Sequence, residues 1–187
     1  MYKIIFFLIS VLSVGTTQAG IIDRPLIDGN SKVIYKKIFD VAEKRGVDPL
    51  VFAAIILHES GDPKSNWVIN PYALNLGGFS YYPIDKMEAY KLLIEAVIRG
   101  EKQLGVGAGQ IEWVWHKEKF NSLWDALDFD KNLNESASYY ADMIKLCHGE
   151  SWCGVGKYHN RDPKIGLAYS SKVKEKWATL KELFLQE

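Results

Sequence analysis

From Asp48 to Gly61 the chain reads Asp-Pro-Leu-Val-Phe-Ala-Ala-Ile-Ile-Leu-His-Glu-Ser-Gly. Asp48 followed by Pro49 is a strong helix start: an N-capping carboxylate, then a proline at the first position, where its missing N–H is not needed. Residues Leu50 to Leu57 are apolar on every side of the helix they would form, so other elements must surround that helix. Gly61 is the natural C-cap, and Asp62-Pro63 stops continuation. At the end of this run stands a carboxylate, Glu59. Apolar neighbours desolvate it and the negative end of the helix dipole repels it, so both effects raise its pKa. That is the tuning a general acid needs near neutral pH. The competing reading of position alone is that Glu59 is the first solvated residue after a buried helix.

The remainder reads as helices joined by short loops. Ser31 is a candidate cap for a helix with Val33, Ile34, Ile38, Val41 and Ala42 on one face, ended by Gly46. Asp85 with Glu88 forms a capping box for a helix ending at Gly100. Further helical patterns cover 122–128, 131–147 and 167–185, with a short one at Trp152–Tyr158. Residues 104–115 carry too much glycine for a helix and suggest a loop or short strands. No repeat or linker divides the chain. The expectation is a mainly α fold, one helical domain with at most a small β element.

The N-terminus looks like an export signal. Lys3 precedes an apolar run from Ile4 to Val14, and Thr17-Gln18-Ala19 offers small residues for cleavage before Gly20. The run is shorter than the roughly 20 residues that span a bilayer. The expected division is therefore a signal peptide over 1–19 and a mature domain over 20–187, in the periplasm or secreted. An uncleaved membrane anchor is the alternative. No later segment is apolar and long enough to span.

The full chain carries 23 basic and 23 acidic side chains. Loss of Lys3 leaves a mature net charge of −1. With no basic excess, nucleic acid is not expected as a partner. Outside the cytoplasm disulfides persist, and Cys147 and Cys153 are the two cysteines of the chain. A small-loop disulfide is favoured, with two reduced buried cysteines as the alternative. A metal site from Cys147, His148, Cys153 and His159 has no recognised zinc spacing, so no metal and no cofactor is expected.

Two other stretches are rich in groups that line clefts. Gly107-Ala108-Gly109-Gln110-Ile111 sets an amide on a flexible backbone, and Gly156-Lys157-Tyr158-His159-Asn160 clusters polar side chains near a helix end. Each alone is compatible with an ordinary turn or loop.

Taken in order behind an export signal, these stretches over about residues 31–170 resemble the catalytic domain of lytic transglycosylases, lysozyme-like enzymes that cut peptidoglycan. The apolar helix ending in Glu59-Ser60-Gly61 matches that family's Glu-Ser signature. The segment 107–111 is similar to its Gly-Leu-Met-Gln segment, with Ala108 and Gly109 where Leu and Met are usual. Residues 133–140, Leu-Asn-Glu-Ser-Ala-Ser-Tyr-Tyr, resemble its Asn-led helix behind the cleft. Tyr158-His159-Asn160 stands at its Ala-Tyr-Asn segment, in the Tyr-His form common among small enzymes of secretion and conjugation machines. The stretch 66–105 is longer than the family's usual gap between its first two motifs.

The resemblance implies an α+β lysozyme-like fold and cleavage of the MurNAc–GlcNAc bond to a 1,6-anhydro sugar. Glu59 would act as acid and then as base. It implies Tyr158 as the hydroxyl orienting Glu59, with Ser60, Gln110 and His159 as binding or orienting residues. Peptidoglycan strands are the implied ligand, and secretion, conjugation or pilus assembly proteins the implied partners. Asp62 and Glu112 are the nearest candidates for a second acid. Tyr72, Tyr81, Tyr82, Trp113 and Trp115 offer stacking faces for sugars, although core filling is the favoured reading for Trp113 and Trp115. Two other functions stay open: a non-catalytic peptidoglycan-binding or assembly component of the same shape, and a lysozyme-type hydrolase, which needs a base for water.

Overall fold

The computed structural model describes residues 29–184, so the expected signal peptide lies outside the described residues. Among the described residues eight α-helices dominate: α1 (Gly29–Arg45), α2 (Pro49–Ser60), α3 (Lys86–Ile98), α4 (Trp113–His116), α5 (Leu123–Ala126), α6 (Phe129–Leu146), α7 (Ser151–His159) and α8 (Pro163–Phe184). Six short strands accompany them: β1 (Gly61–Asp62), β2 (Val68–Ile69), β3 (Leu74–Leu76), β4 (Phe79–Tyr81), β5 (Leu104–Val106) and β6 (Ile111–Glu112). The fold is mainly α with small antiparallel sheets.

Helix α2 is the axis of the molecule. The Asp48 carboxylate accepts the Val51 amide at 2.9 Å, capping the helix as its sequence requires. All residues from Val51 to Leu57 are buried. Burial of each large side chain contributes roughly 1.5–3 kcal/mol, so this helix is anchored by its whole circumference. Helices α1 and α8 flank it, and α7 packs between α6 and α8. At their crossing, a Cβ added to Gly156 or Gly166 would come within 3.0 Å of the other helix's backbone. Gly61 leaves α2 in extended conformation, φ −68°, rather than as a left-handed cap. Its lack of a side chain serves space, because a Cβ there would meet the Leu57 carbonyl at 2.5 Å.

The second core lies in the long stretch between the first two motifs. Strands order as β4-β3-β5-β6, all antiparallel, with Leu74 opposite both Tyr81 and Val106. Leu74, Leu76, Leu104 and Val106 pack with Ala89, Leu93 and Ala96 of α3 and with Ala126 and Leu127. The expected capping box is present in modified form. Asp85 accepts the Glu88 amide at 2.8 Å, while Glu88 reaches back to the Ile84 amide.

Several boundaries differ from expectation. Ser31 does not cap α1, which already runs from Gly29, and it lies on the helix's buried face. Helix α6 starts at Phe129 because Asp128 caps it through the Lys131 amide. Helix α8 starts at Pro163, with Asp162 accepting the Lys164 amide at 2.8 Å, a second Asp-Pro start of the kind that opens α2. Residues 104–115 do form strands, followed by the short helix α4.

Cys147 and Cys153 are joined in a disulfide that ties the end of α6 to the first turns of α7. With both sulfurs in that bond, they are not available as metal ligands. No group of three or more His, Cys, Asp or Glu among the described residues is placed to hold a metal ion. No helix among them is long and apolar enough to cross a membrane.

Candidate active site

The last turn of α2 delivers Glu59 to the floor of a cleft of about 1160 Å³. One wall comes from α7 and the residues after it, with Tyr158, His159 and Asn160. The other comes from the sheet, with Asn75, Gly105, Gln110 and Ile111. The long stretch over 66–105 therefore builds a cleft wall: Asn75 and Gly78 belong to its β3–β4 hairpin, and Gly105 lies on β5. Such a cavity is of the size that takes an extended small-molecule or oligomeric ligand.

Glu59 is partly buried, and loss of water pushes its pKa up from 4.5 to about 7. One hydrogen bond opposes that effect. The Tyr169 hydroxyl donates to Glu59 Oε1 at 2.5 Å, which favours the ionised form. A group balanced this way exists as acid and as carboxylate in the same pH range, as proton transfer in both directions requires.

The tyrosine that hydrogen-bonds Glu59 is thus Tyr169, not the expected Tyr158. The Tyr158 hydroxyl instead donates to the Gly109 carbonyl at 2.8 Å. Burial first, then the charge of Glu59, holds the Tyr158 phenol protonated far above its ordinary range. Tyr158 therefore fastens the 107–110 loop beside the acid. The reason is register on α7: residue 158 faces the loop, while α8, crossing α7 closely, presents Tyr169 to the end of α2.

Two histidines hold Tyr169. The His159 ring stacks on it at 4.5 Å and 3°, and the His58 ring meets it edge-on at 5.1 Å. Burial, followed by Lys172, Lys176 and His159, lowers the His58 pKa to about 4. Burial and then Lys172 lower that of His159 as well. Both rings are favoured neutral, which suits stacking on a phenol. The exposed His159 lines the cleft and also supports the Tyr169 ring.

Ser60 does not reach the cleft. It is fully buried and its hydroxyl donates to the Ile56 carbonyl at 2.8 Å, inside α2. Gln110 lies on the cleft wall, yet its amide donates to Ala73 O and Gly107 O at 3.0 and 2.9 Å, tying the loop to the residue just before β3. Of the two candidate second acids, Asp62 caps a turn through Lys64 N and Ser65 Oγ. Glu112 lines the cleft while accepting the Leu104 amide at 3.0 Å. Trp113 packs half-buried against the sheet core, whereas Trp115 is 79% exposed and lines the cleft, so core filling holds for the first and not the second.

Sequence reasoning missed Asn132. It is fully buried; its Oδ1 accepts Gly109 N at 2.9 Å and its Nδ2 donates to Val106 O and Ala126 O. Asn134, the asparagine of the quoted α6 motif, only bonds back to Asp130 O. The available signal was helical spacing: Asn132 and Ser136 share the buried stripe of Leu133, Ala137 and Tyr140. Gly109 is pinned between these groups, for a Cβ there would lie 1.8 Å from Ser136 Oγ and 3.0 Å from the Tyr158 hydroxyl. At the cleft's other side His116 sits 3.5 Å from Glu135 and edge-on to Tyr139.

No protein-family model, curated protein or solved structure matches the chain.

Proposed function

We propose that this protein is a peptidoglycan lytic transglycosylase with a lysozyme-like catalytic domain. The observation that carries the reading is Glu59, a carboxyl on the floor of a large cleft with a pKa raised to about 7 and a phenol hydrogen bond to one oxygen. The order of the Glu59-Ser60-Gly61, 107–111 and 158–160 motifs supports the substrate class by resemblance.

In the reaction proposed, the Glu59 carboxyl protonates the oxygen linking muramic acid C1 to the glucosamine O4. The C1–O bond breaks and the glucosamine leaves as an alcohol. The muramoyl 2-acetamido group stabilises the positive charge at C1. The Glu59 carboxylate then takes the proton of the muramoyl C6 hydroxyl as that oxygen bonds to C1. The product is the 1,6-anhydro sugar, and Glu59 ends protonated as it began. Tyr169 would stabilise the ionised state between the two transfers, and one residue serves both steps, unlike the two-carboxylate glycosidases. Export, action in the cell wall and service to a secretion, conjugation or pilus machine are part of this proposal.

Digestion of purified sacculi, with masses taken of the released muropeptides, tests it. Anhydro-muropeptides are expected. Reducing-end products without the anhydro form would assign a hydrolase instead, and no product beside an active control enzyme would leave a binding component.

A further inference from the structure

The charges on the cleft are not those of the chain. Overall the chain is balanced, 23 against 23. The cleft wall carries Lys102 just before β5, Lys157 on α7 and Arg161 just after it. None of the three belongs to an ion pair among the described residues. Neither cleft-lining carboxylate forms an ion pair with them among the described residues: Glu59 accepts the Tyr169 hydroxyl and Glu112 the Leu104 amide. Asp162, next to Arg161, accepts the Lys164 and Ile165 amides at the start of α8. Behind His159, Lys172 adds a further positive charge that helps keep both His58 and His159 neutral.

A cleft lined by cations that form no ion pair among the described residues concentrates anionic ligands. Guanidinium and ammonium groups pair directly with carboxylates. Resting on the transglycosylase reading, we propose that Lys102, Lys157 and Arg161 form a carboxylate-binding rim on the Glu59 cleft. The rim selects glycan strands whose peptide stems carry free acids. Stem recognition would then reside in the rim and bond cleavage in Glu59, on separate side chains of one cleft.

The test compares three substrates: native sacculi, sacculi whose stem carboxyls have been converted to methylamides, and glycan stripped of stems by an amidase, which keeps only the lactyl carboxylate. Release of anhydro product is followed against substrate concentration for wild type, the double variant Lys157→Gln/Arg161→Gln, and Lys91→Gln, an exposed residue of α3, as control. Methylamidation should raise the wild-type KM about tenfold with little change in kcat, as expected for two partly exposed ion contacts. The double variant should show that raised KM on native sacculi and match wild type on methylamidated ones, while Lys91→Gln behaves as wild type throughout. Stripped glycan should behave like the methylamidated substrate; behaviour like native sacculi would overturn the stem assignment in favour of the lactyl carboxylate. Equal KM for wild type on native and methylamidated sacculi would overturn the rim altogether. If no sacculi yield product, the transglycosylase reading fails instead. Co-sedimentation of Glu59→Gln protein then decides the rim, since preference for native over methylamidated sacculi supports it and equal binding removes it.

Discussion

The Tyr169 hydroxyl donates to Glu59 Oε1 at 2.5 Å, joining α8 to the end of α2 across 110 residues of sequence. Desolvation raises the pKa of Glu59 and this bond lowers it, so the acid's strength is set by two opposing contacts. Removing the phenol oxygen leaves only the first. In Tyr169→Phe the alkaline limb of the kcat/KM profile should move to higher pH than in wild type, where Glu59 titrates at about 7. kcat should fall about tenfold, as suits loss of one hydrogen bond to a charged group. A pH–rate profile with an unmoved limb would detach Tyr169 from Glu59.

His159 is expected to act through the Tyr169 ring, on which it stacks at 3°. Phenylalanine keeps a flat ring there and alanine does not. His159→Phe should retain most of the wild-type kcat, while His159→Ala should lose about three- to tenfold, the worth of one aromatic pair. Equal losses in both variants would show that the imidazole nitrogens contact the sugar.

Stability against pH separates Glu59 from His58. Glu59 has a folded pKa of about 7 against an ordinary 4.5, so the fold holds a proton that the unfolded chain releases. Its contribution is full below pH 4.5 and is lost as pH rises through 7. His58 has a folded pKa of about 4 against 6.5, so its contribution is present above 6.5 and is lost as pH falls through 4. Between about pH 4.5 and 6.5 the two slopes oppose one another. Glu59→Gln should therefore unmask a Tm that rises with pH in that window, and should exceed wild type by about 2 kcal/mol at pH 8, after allowing for partial exposure. Thermal melts across pH 4–8 would show it; a Glu59→Gln curve parallel to wild type would contradict the raised pKa.

Gly109 is a steric requirement of the loop. Gly109→Ala places a carbon 1.8 Å from Ser136 Oγ and should destabilise the protein by about 2 kcal/mol while lowering activity through Tyr158. Ser136→Gly removes the obstructing side chain, so the double variant should lose less than the two single losses combined. Denaturant unfolding of the four proteins checks this, and strict additivity would count against it.

Much of this was legible locally. The Asp48-Pro49 start, the apolar α2 and the Asp85 cap each depend on neighbours within four residues, and each formed. The same logic applies at Asp162-Pro163, which starts α8 at Pro163 rather than at the 167 that the apolar pattern suggests. The position of Glu59 at the end of the buried helix was visible, and so was the cysteine pair. Its hydroxyl partner was not. On α8 the apolar spacing shows only that residue 169 faces inward, and which inward group touches Glu59 depends on the close α7–α8 crossing. Asn132 was obscured differently: a polar side chain on a buried stripe signals a satisfied network, without naming the loop that it holds. Trp115 shows the opposite limit, because an aromatic in a short helix at a cleft edge has no periodicity to place it.

In the reaction proposed, Glu59 alone moves the proton in both directions. The most direct measurement digests one batch of sacculi with wild type and with Glu59→Gln and compares the 1,6-anhydro-muropeptides by mass. Anhydro products are expected from wild type and none from a folded Glu59→Gln protein that still sediments with sacculi. Anhydro products from Glu59→Gln at the wild-type rate would contradict it.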